Sequence, residues 1–91
     1  MARFALSNNK TLDIQEVFIY TEGNWDPNNN LLSTGETIST GSSRMFEIAD
    51  GTYDVRFKLT DGTTFEKTNL AMFGDVDEST EEFDLIDDDL D

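Results

Sequence analysis

The sequence predicts an all-β fold: a small, mostly antiparallel β-sandwich of six or seven strands. Phe and β-branched residues are frequent and Ala is scarce, which favours strands over helices. Short segments alternate between apolar and polar residues, and Gly, Asn, Thr and Asp separate them as turn residues do. The 91 residues suit one domain with a modest core. We expect residues 1–86 to form the sandwich and residues 87–91 an acidic, flexible tail.

The first two predicted strands lie in the N-terminal part of the chain. Residues 3–7 alternate and place Phe4 and Leu6 on the inner face of the first strand. Residues 12–21 predict a second strand whose second half is apolar on both faces. Such a strand is either central and covered on both sides, or bulged near Glu16.

The longest irregular stretch, residues 22–33, contains the only Trp and the only Pro. In one interpretation Trp25, Leu31 and Leu32 close one end of the core, because large apolar side chains prefer burial. In the other, Trp25 is exposed and serves as a stacking platform or as an anchor for a partner. The sequence leaves both open. After this loop, residues 36–38 predict a short edge strand.

Residues 44–70 predict a three-stranded meander with two Asp-Gly turns, a strong hairpin signal. At the first turn, residues 50–51, a two-residue loop would pair Phe46 with Val55 across a hairpin. This pairing places the large apolar side chains of both strands on one face.

The second turn requires a longer loop. A two-residue loop would set Phe65 opposite Lys58 on the polar face, whereas a three-residue loop of residues 60–62 pairs Phe65 with Phe57. In the longer loop Gly62 takes the left-handed bulge position, so we expect the two turns to differ in type. The side chains predicted to face the core are Phe4, Leu6, Ile14, Phe46, Ile48, Tyr53, Val55, Phe57, Leu59 and Phe65.

Two interpretations compete for the C-terminal segment. Ser79 and Glu82 have the spacing of a capping box, and a helical apolar stripe follows them. Residues 87–89, all Asp, would then lie at the helix C-terminus, where the macrodipole disfavours anions. We therefore expect a last strand over about residues 81–86.

The charge is strongly negative and uneven, with a net value of −14. Residues 75–91 hold ten acidic residues and no basic ones, which is half of the 20 carboxylates in the chain. This density repels polyanions, so we expect no direct binding to nucleic acid or to an anionic membrane. The longest apolar run, residues 17–20, is too short to span a membrane, and no signal peptide is visible. A cytoplasmic location is therefore favoured.

Cys and His are absent, which excludes thiol catalysis, disulfides and imidazole general bases. We expect a binding protein and not an enzyme. Acidic segments with apolar anchors dock into basic grooves, so we expect a basic protein partner. The alternatives are a tail that only maintains solubility, or a general adaptation to high salt. The candidate partner-binding residues are Trp25, Asp75, Asp77, Glu78, Glu81, Glu82, Phe83, Asp84, Asp87, Asp88 and Asp89.

Two further hypotheses concern the same acidic residues. A compact negative domain could imitate nucleic-acid phosphates and inhibit a nuclease or defence complex, as phage-encoded inhibitors do. Alternatively, Asp75, Asp77 and Glu78 could bind a Ca²⁺ ion that stabilises the fold. Thr80 and Ile86 stand where an EF-hand loop needs Gly and a bidentate Glu, so only a looser site fits. We expect no other cofactor.

Several landmarks together resemble a family of small bacterial β-sandwich domains of unassigned activity. They are residues 14–20, Trp25 with residues 31–32, Gly41 ahead of residues 46–48, residues 51–56, and Asp61 with Gly62. Part of this pattern is also similar to transthyretin-like and immunoglobulin-like sandwich modules. The match covers about residues 4–86. Where such families tend to have Ser-Pro after the second strand and Gly after the Trp, this chain has Thr21-Glu22 and Asp26. The resemblance implies a sandwich with an accessory or binding role and supplies no catalytic residues.

Overall fold

The computed structural model describes residues 1–26 and 28–86, and this part of the chain is all-β, as the sequence predicted. A turn of 3-10 helix, Thr80–Glu82, separates the last two strands. Within the described residues, no helix is long and apolar enough to cross a membrane. The strands are β1 (Ala2–Ser7), β2 (Ile14–Tyr20), β3 (Ser43–Ile48), β4 (Gly51–Leu59), β5 (Thr64–Met72), β6 (Asp75–Ser79) and β7 (Asp84–Ile86).

The strands form two sheets, an arrangement compatible with a small β-sandwich. The three-stranded sheet has the order β3-β1-β6, and the four-stranded sheet has the order β2-β4-β5-β7. Neighbouring strands are antiparallel except for β1 and β6, which are parallel. Both sheets contribute their apolar side chains to one core.

The first strand is confirmed, since Phe4 and Leu6 are fully buried. The predicted bulge in the second strand is also confirmed, because the pairing of β2 with β4 shifts between Ile14 and Glu16. However, β2 is an edge strand and not a central one. Its run of buried residues on both faces has another cause, since the ring of Trp25 covers Phe18 on the outer face.

The predicted first hairpin is wrong. Strand β3 pairs with β1, where Phe46 lies opposite Phe4, and β4 belongs to the other sheet. The connection at Asp50 therefore crosses between the sheets. Gly51 lies inside β4 and lacks the left-handed backbone of a two-residue Asp-Gly hairpin. The alternation of apolar and polar residues predicts which side chains point inward, but it does not predict which strands are paired. Two strands that face each other across the core show the same alternation as two strands paired in one sheet.

The predicted second turn is confirmed. Phe57 lies opposite Phe65, and Gly62 has a φ of 90°. The Gly62 N–H donates to the Leu59 carbonyl at 2.9 Å, which closes the type I turn before the bulge. The left-handed position explains why Gly is needed at residue 62.

The ten side chains predicted to face the core all lie in it or pack against it. The predicted edge strand at residues 36–38 is reduced to a single bridge between Ile38 and Ile14. In the long loop, Leu32 is buried and Leu31 packs against the core, as the first interpretation of this loop proposed. The core also contains Ala2, Val17, Ile19, Leu70, Met72 and Phe83, which the predicted set did not include.

The C-terminal part contains one strand that the sequence did not reveal. Strand β6, Asp75–Ser79, has a single apolar residue, Val76, and therefore little hydrophobic signal. The Ser79 side chain accepts a hydrogen bond from the Glu81 N–H and caps the 3-10 turn. The last strand is shorter than predicted, and the predicted tail at residues 87–91 lies outside the described residues.

Candidate partner-binding surface

The acidic residues between Asp75 and Asp84 lie along one strip of the surface. Strand β6 is one of the two outer strands of the three-stranded sheet, and β7 is one of the two outer strands of the four-stranded sheet. The 3-10 turn joins them, so the strip runs from one sheet edge to the other. We call it the acidic edge and define it by Asp75, Asp77, Glu78, Glu81, Glu82 and Asp84.

The strand alternation of β6 divides its acids between two faces. Asp75 and Asp77 are exposed on the outer face, whereas Val76 packs against the core on the inner face. Glu78 also points inward and reaches the other sheet, where its Oε1 accepts a hydrogen bond from Lys67 Nζ at 2.7 Å. Only 14% of the Glu78 side chain is exposed. Glu78 is thus a structural residue as well as part of the acidic surface.

Lys67 is the basic side chain that reaches this edge from β5. Its Nζ lies 2.7 Å from Glu78 Oε1 and 3.8 Å from Glu82 Oε2. The hydrogen bond with Glu78 raises the pKa of Lys67 and outweighs the opposing effect of burial, and the negative charges of Glu78, Glu82 and Asp84 raise it further. The lysine therefore carries its positive charge and offsets part of the local repulsion between carboxylates.

A shallow concavity of about 470 Å³ lies at the C-terminal end of β6. Two hydrogen bonds from Asn9 fix its shape: the side-chain amide donates to Ser79 Oγ at 2.6 Å, and the backbone N–H donates to Thr80 Oγ1 at 2.9 Å. The concavity is strongly acidic and open to solvent. It is lined by Ser7, Asn9, Asp77, Glu78, Ser79, Glu81 and Glu82.

Phe83 lies in the core and not on the acidic surface. The sequence analysis treated it as an apolar anchor beside the acids, but its side chain is 5% exposed and its ring centroid lies 5.0 Å from that of Phe57. The backbone is extended at Phe83, between the 3-10 turn and β7, and its side chain belongs to the core. Asp84 follows on β7 and is exposed. Residues 87–89, the remaining acids of the predicted set, lie outside the described residues.

Trp25 is separated from the acidic edge. Its ring lies on the outer face of the four-stranded sheet, with centroids 4.6 Å from Phe18 and 5.4 Å from Tyr20 on β2. The Arg56 guanidinium lies 4.1 Å from the Trp25 ring centroid. These contacts cover part of the Trp25 ring, and the residue as a whole is 36% exposed, so Trp25 neither closes an end of the core nor stands free of the domain. Trp25 instead covers the outer face of β2.

A polar network of Arg56, Tyr20 and Glu66 lies beneath Trp25. Arg56 Nε donates to Tyr20 Oη and to Glu66 Oε2, each at 3.2 Å, and the Tyr20 hydroxyl donates to Glu66. Burial and the hydrogen bond to Glu66 raise the pKa of Tyr20 to about 12. The sequence predicted one part of this network, because the three-residue loop that pairs Phe57 with Phe65 also sets Arg56 opposite Glu66, and this pairing is confirmed. The contribution of Tyr20 was not predicted.

The calcium hypothesis gains no support from this geometry. Asp75 and Asp77 point to the opposite face of β6 from Glu78, and Glu78 already binds Lys67. Among residues 1–26 and 28–86, no three acidic side chains lie close enough together to hold a metal ion. The sequence spacing that suggested a calcium loop is here the alternation of an edge strand.

Comparison with protein-family models, with curated proteins and with solved structures found no match to this chain. The resemblance to small bacterial sandwich domains and to transthyretin-like modules therefore stays a prediction.

Proposed function

We propose that this domain is a non-enzymatic binding module, a small β-sandwich that engages a basic protein partner through the acidic edge. Residues 87–91, with four further acids, extend the same negative charge along the chain. The observation that carries the proposal is the concentration of six carboxylates on one strip between the two sheet edges, where Lys67 is the only basic side chain with a described ion pair to them.

The exposed carboxylates of the acidic edge act on association with a partner more than on the stability of the fold. Exposed like charges repel one another and contribute little to folding, but their summed field attracts a positively charged partner. This attraction acts mainly on the rate of association and weakens with salt, because the Debye length falls from about 10 Å at 0.1 M to about 3 Å at 1 M. A partner recognised in this way carries a cluster of Lys or Arg.

The chemistry of the side chains supports a role without catalysis. The chain has no His and no Cys, so carboxylates, hydroxyls and amines are the only candidate catalytic groups. The acids of the acidic edge lie on edge strands and on a turn. Four of them line a shallow, open concavity and not a dry cleft of the kind that tunes paired carboxylates for acid and base chemistry.

A charge-matched pair of variants tests the proposal with an oligolysine peptide as probe. Replacing Asp77→Asn and Glu81→Gln should weaken binding roughly three- to tenfold at low salt. The control, Glu22→Gln with Glu47→Gln, removes the same charge elsewhere on the surface and should change the affinity by less than about twofold. Equal weakening in both variants would contradict a role for the acidic edge.

Deletion of residues 87–91 separates the contribution of the tail. Binding that survives the deletion and remains sensitive to Asp77 and Glu81 assigns recognition to the acidic edge. Loss of all binding on deletion would assign recognition to the tail, against the proposal. Duplex DNA that competes with the protein for a cationic nuclease complex would instead favour the nucleic-acid mimic.

A further inference from the structure

Strand β6 has one free edge. Among the described residues it pairs with β1 alone, in parallel register. The Arg3 N–H donates to the Gly74 carbonyl, which sets the phase of the parallel ladder. In such a ladder alternate residues bond to the neighbouring strand. The backbone N–H and C=O groups of Val76 and Glu78 therefore bond to β1. Those of Asp75, Asp77 and Ser79 point to the free edge.

We infer that the free edge of β6 binds an extended basic segment of the partner protein as an added strand. The inference rests on the proposed function and specifies how the partner is recognised. Backbone groups of β6 supply hydrogen bonds that are independent of the partner's sequence, and the flanking side chains supply selectivity.

The side chains of β6 specify a pattern in the added strand. Neighbouring residues on adjacent strands share a face, so residues beside Asp75 and Asp77 would lie two positions apart on the outer face. Opposite charge is favoured there and selects Lys or Arg, most strongly beside Asp77, because Asp75 already has Arg3 as its neighbour on β1. The residue between them faces inward beside Val76, which is partly buried and packs against the core. The expected motif is basic, apolar, basic.

The concavity at the end of β6 extends the same pattern. It begins at Asp77 and is bounded by Glu81 and Glu82 on the 3-10 turn. An added strand that pairs with Asp75 and Asp77 ends beside this opening. The carboxylates that line this opening attract the Lys or Arg side chain that follows the motif. A third basic residue is therefore expected at that end of the partner segment.

Charge selects both the edge and the occupant. Strand β3, the other outer strand of this sheet, carries Glu47 but also Arg44, which is paired with Glu36, so its charge does not select a basic strand. A second copy of this chain would bring two β6 strands together and oppose their aspartates, which like-charge repulsion disfavours. A basic segment of a partner protein is instead attracted to the aspartates of β6.

Two peptides of equal composition test the added strand against the full-length chain. One alternates Lys and Val over five residues, starting and ending with Lys, and the other places its three Lys before its two Val. The alternating peptide should bind at least about fivefold more tightly, because only its order matches the two faces of β6. The double variant Asp75→Asn with Asp77→Asn should remove this preference, while Glu22→Gln with Glu47→Gln should keep it.

Backbone hydrogen bonding is tested separately. Two versions of the Lys-Val peptide are N-methylated on alternate residues, one at the odd positions and the other at the even positions. Methylation of the residues whose N–H groups bond to β6 should abolish binding, and methylation of the other set should leave binding nearly unchanged. Hydrogen exchange at the amides of Asp75, Asp77 and Ser79 should slow when the peptide is bound. The added strand would be overturned, and the proposed function left intact, by three results together. These are equal affinity of the two peptides, equal effects of the two methylation patterns, and no protection of these amides. Failure of every cationic peptide to bind would overturn both.

Discussion

Lys67 Nζ on β5 lies 2.7 Å from Glu78 Oε1 on β6, and this ion pair connects the two sheets on the side of the molecule where the acidic edge lies. Glu78 is the more buried partner. Breaking a partly buried pair is costly mainly because the remaining charge keeps its desolvation without its partner. The pair therefore holds the strand that presents Asp75 and Asp77 to solvent.

Replacing Lys67→Met should destabilise the fold by about 1–2 kcal/mol, because it leaves Glu78 without its partner and removes the positive charge beside Glu82. Glu78→Gln should cost less, since its side-chain oxygen still accepts a hydrogen bond from Lys67. Urea unfolding of both variants measures the difference. A smaller loss for Lys67→Met than for Glu78→Gln would contradict this account of the pair.

Tyr20 should make stability fall at alkaline pH. Its pKa is raised from 10.0 to about 12 in the folded protein, by burial first and then by Glu66. The folded state therefore holds the proton more tightly than the unfolded state, and this contribution is complete below about pH 10 and is lost as the pH rises towards 12. The Tyr20→Phe variant lacks it.

The free energy of unfolding of wild type and Tyr20→Phe, measured against pH, checks this prediction. Lys67 also has a raised pKa and contributes in the same pH range, but it is present in both proteins and cancels in the comparison. The difference between the two curves should shrink as the pH rises above about 10. A difference that stays constant to pH 12 would contradict the raised pKa.

Trp25 should act in stability and not in binding. Trp25→Ala uncovers Phe18 and Tyr20 and removes the contact with Arg56, at an expected cost of about 2 kcal/mol. Binding of oligolysine should be unchanged, because Trp25 lies on the outer face of β2, at the other edge of its sheet from β7. Denaturant unfolding and a binding isotherm of the same variant measure the two effects. A loss of affinity without a loss of stability would restore Trp25 as a partner anchor.

Phe83 and Leu85 offer a matched test of the correction to the predicted site. Phe83 is 5% exposed and packs on Phe57, so Phe83→Ala should destabilise the fold by about 3–4 kcal/mol. Leu85 lies two residues away and is 66% exposed, so Leu85→Ala should cost less than about 0.5 kcal/mol. Thermal unfolding distinguishes them. Similar losses for both variants would contradict the burial of Phe83.

The inward side chains were predictable because strand alternation has a fixed period. Val55 and Phe57 on β4 could be assigned to the core from spacing alone, and the register with Phe65 followed from the turn at Gly62. The partner of β3 was not predictable in this way. A strand that pairs within a sheet and one that faces it across the core show the same alternation, so the choice depends on tertiary packing.

The candidate site was predictable in composition and not in geometry. The sequence located the acids, but β6 was missed because one apolar residue, Val76, gives almost no periodic signal. Without that strand, the opposite directions of Asp77 and Glu78 and the contact with Lys67 were not foreseeable. The position of Trp25 was not foreseeable for a related reason, since its cover over β2 joins segments that only the fold brings together.

The most direct test of the account maps where a cationic probe touches the protein. Backbone amide chemical shifts of the full-length chain, isotopically labelled and titrated with oligolysine at low salt, report contact residue by residue. The largest changes should fall within residues 75–84 and should disappear in the variant with Asp77→Asn and Glu81→Gln. Changes centred on Trp25, or spread evenly over acids throughout the chain, would contradict the acidic edge as the binding surface.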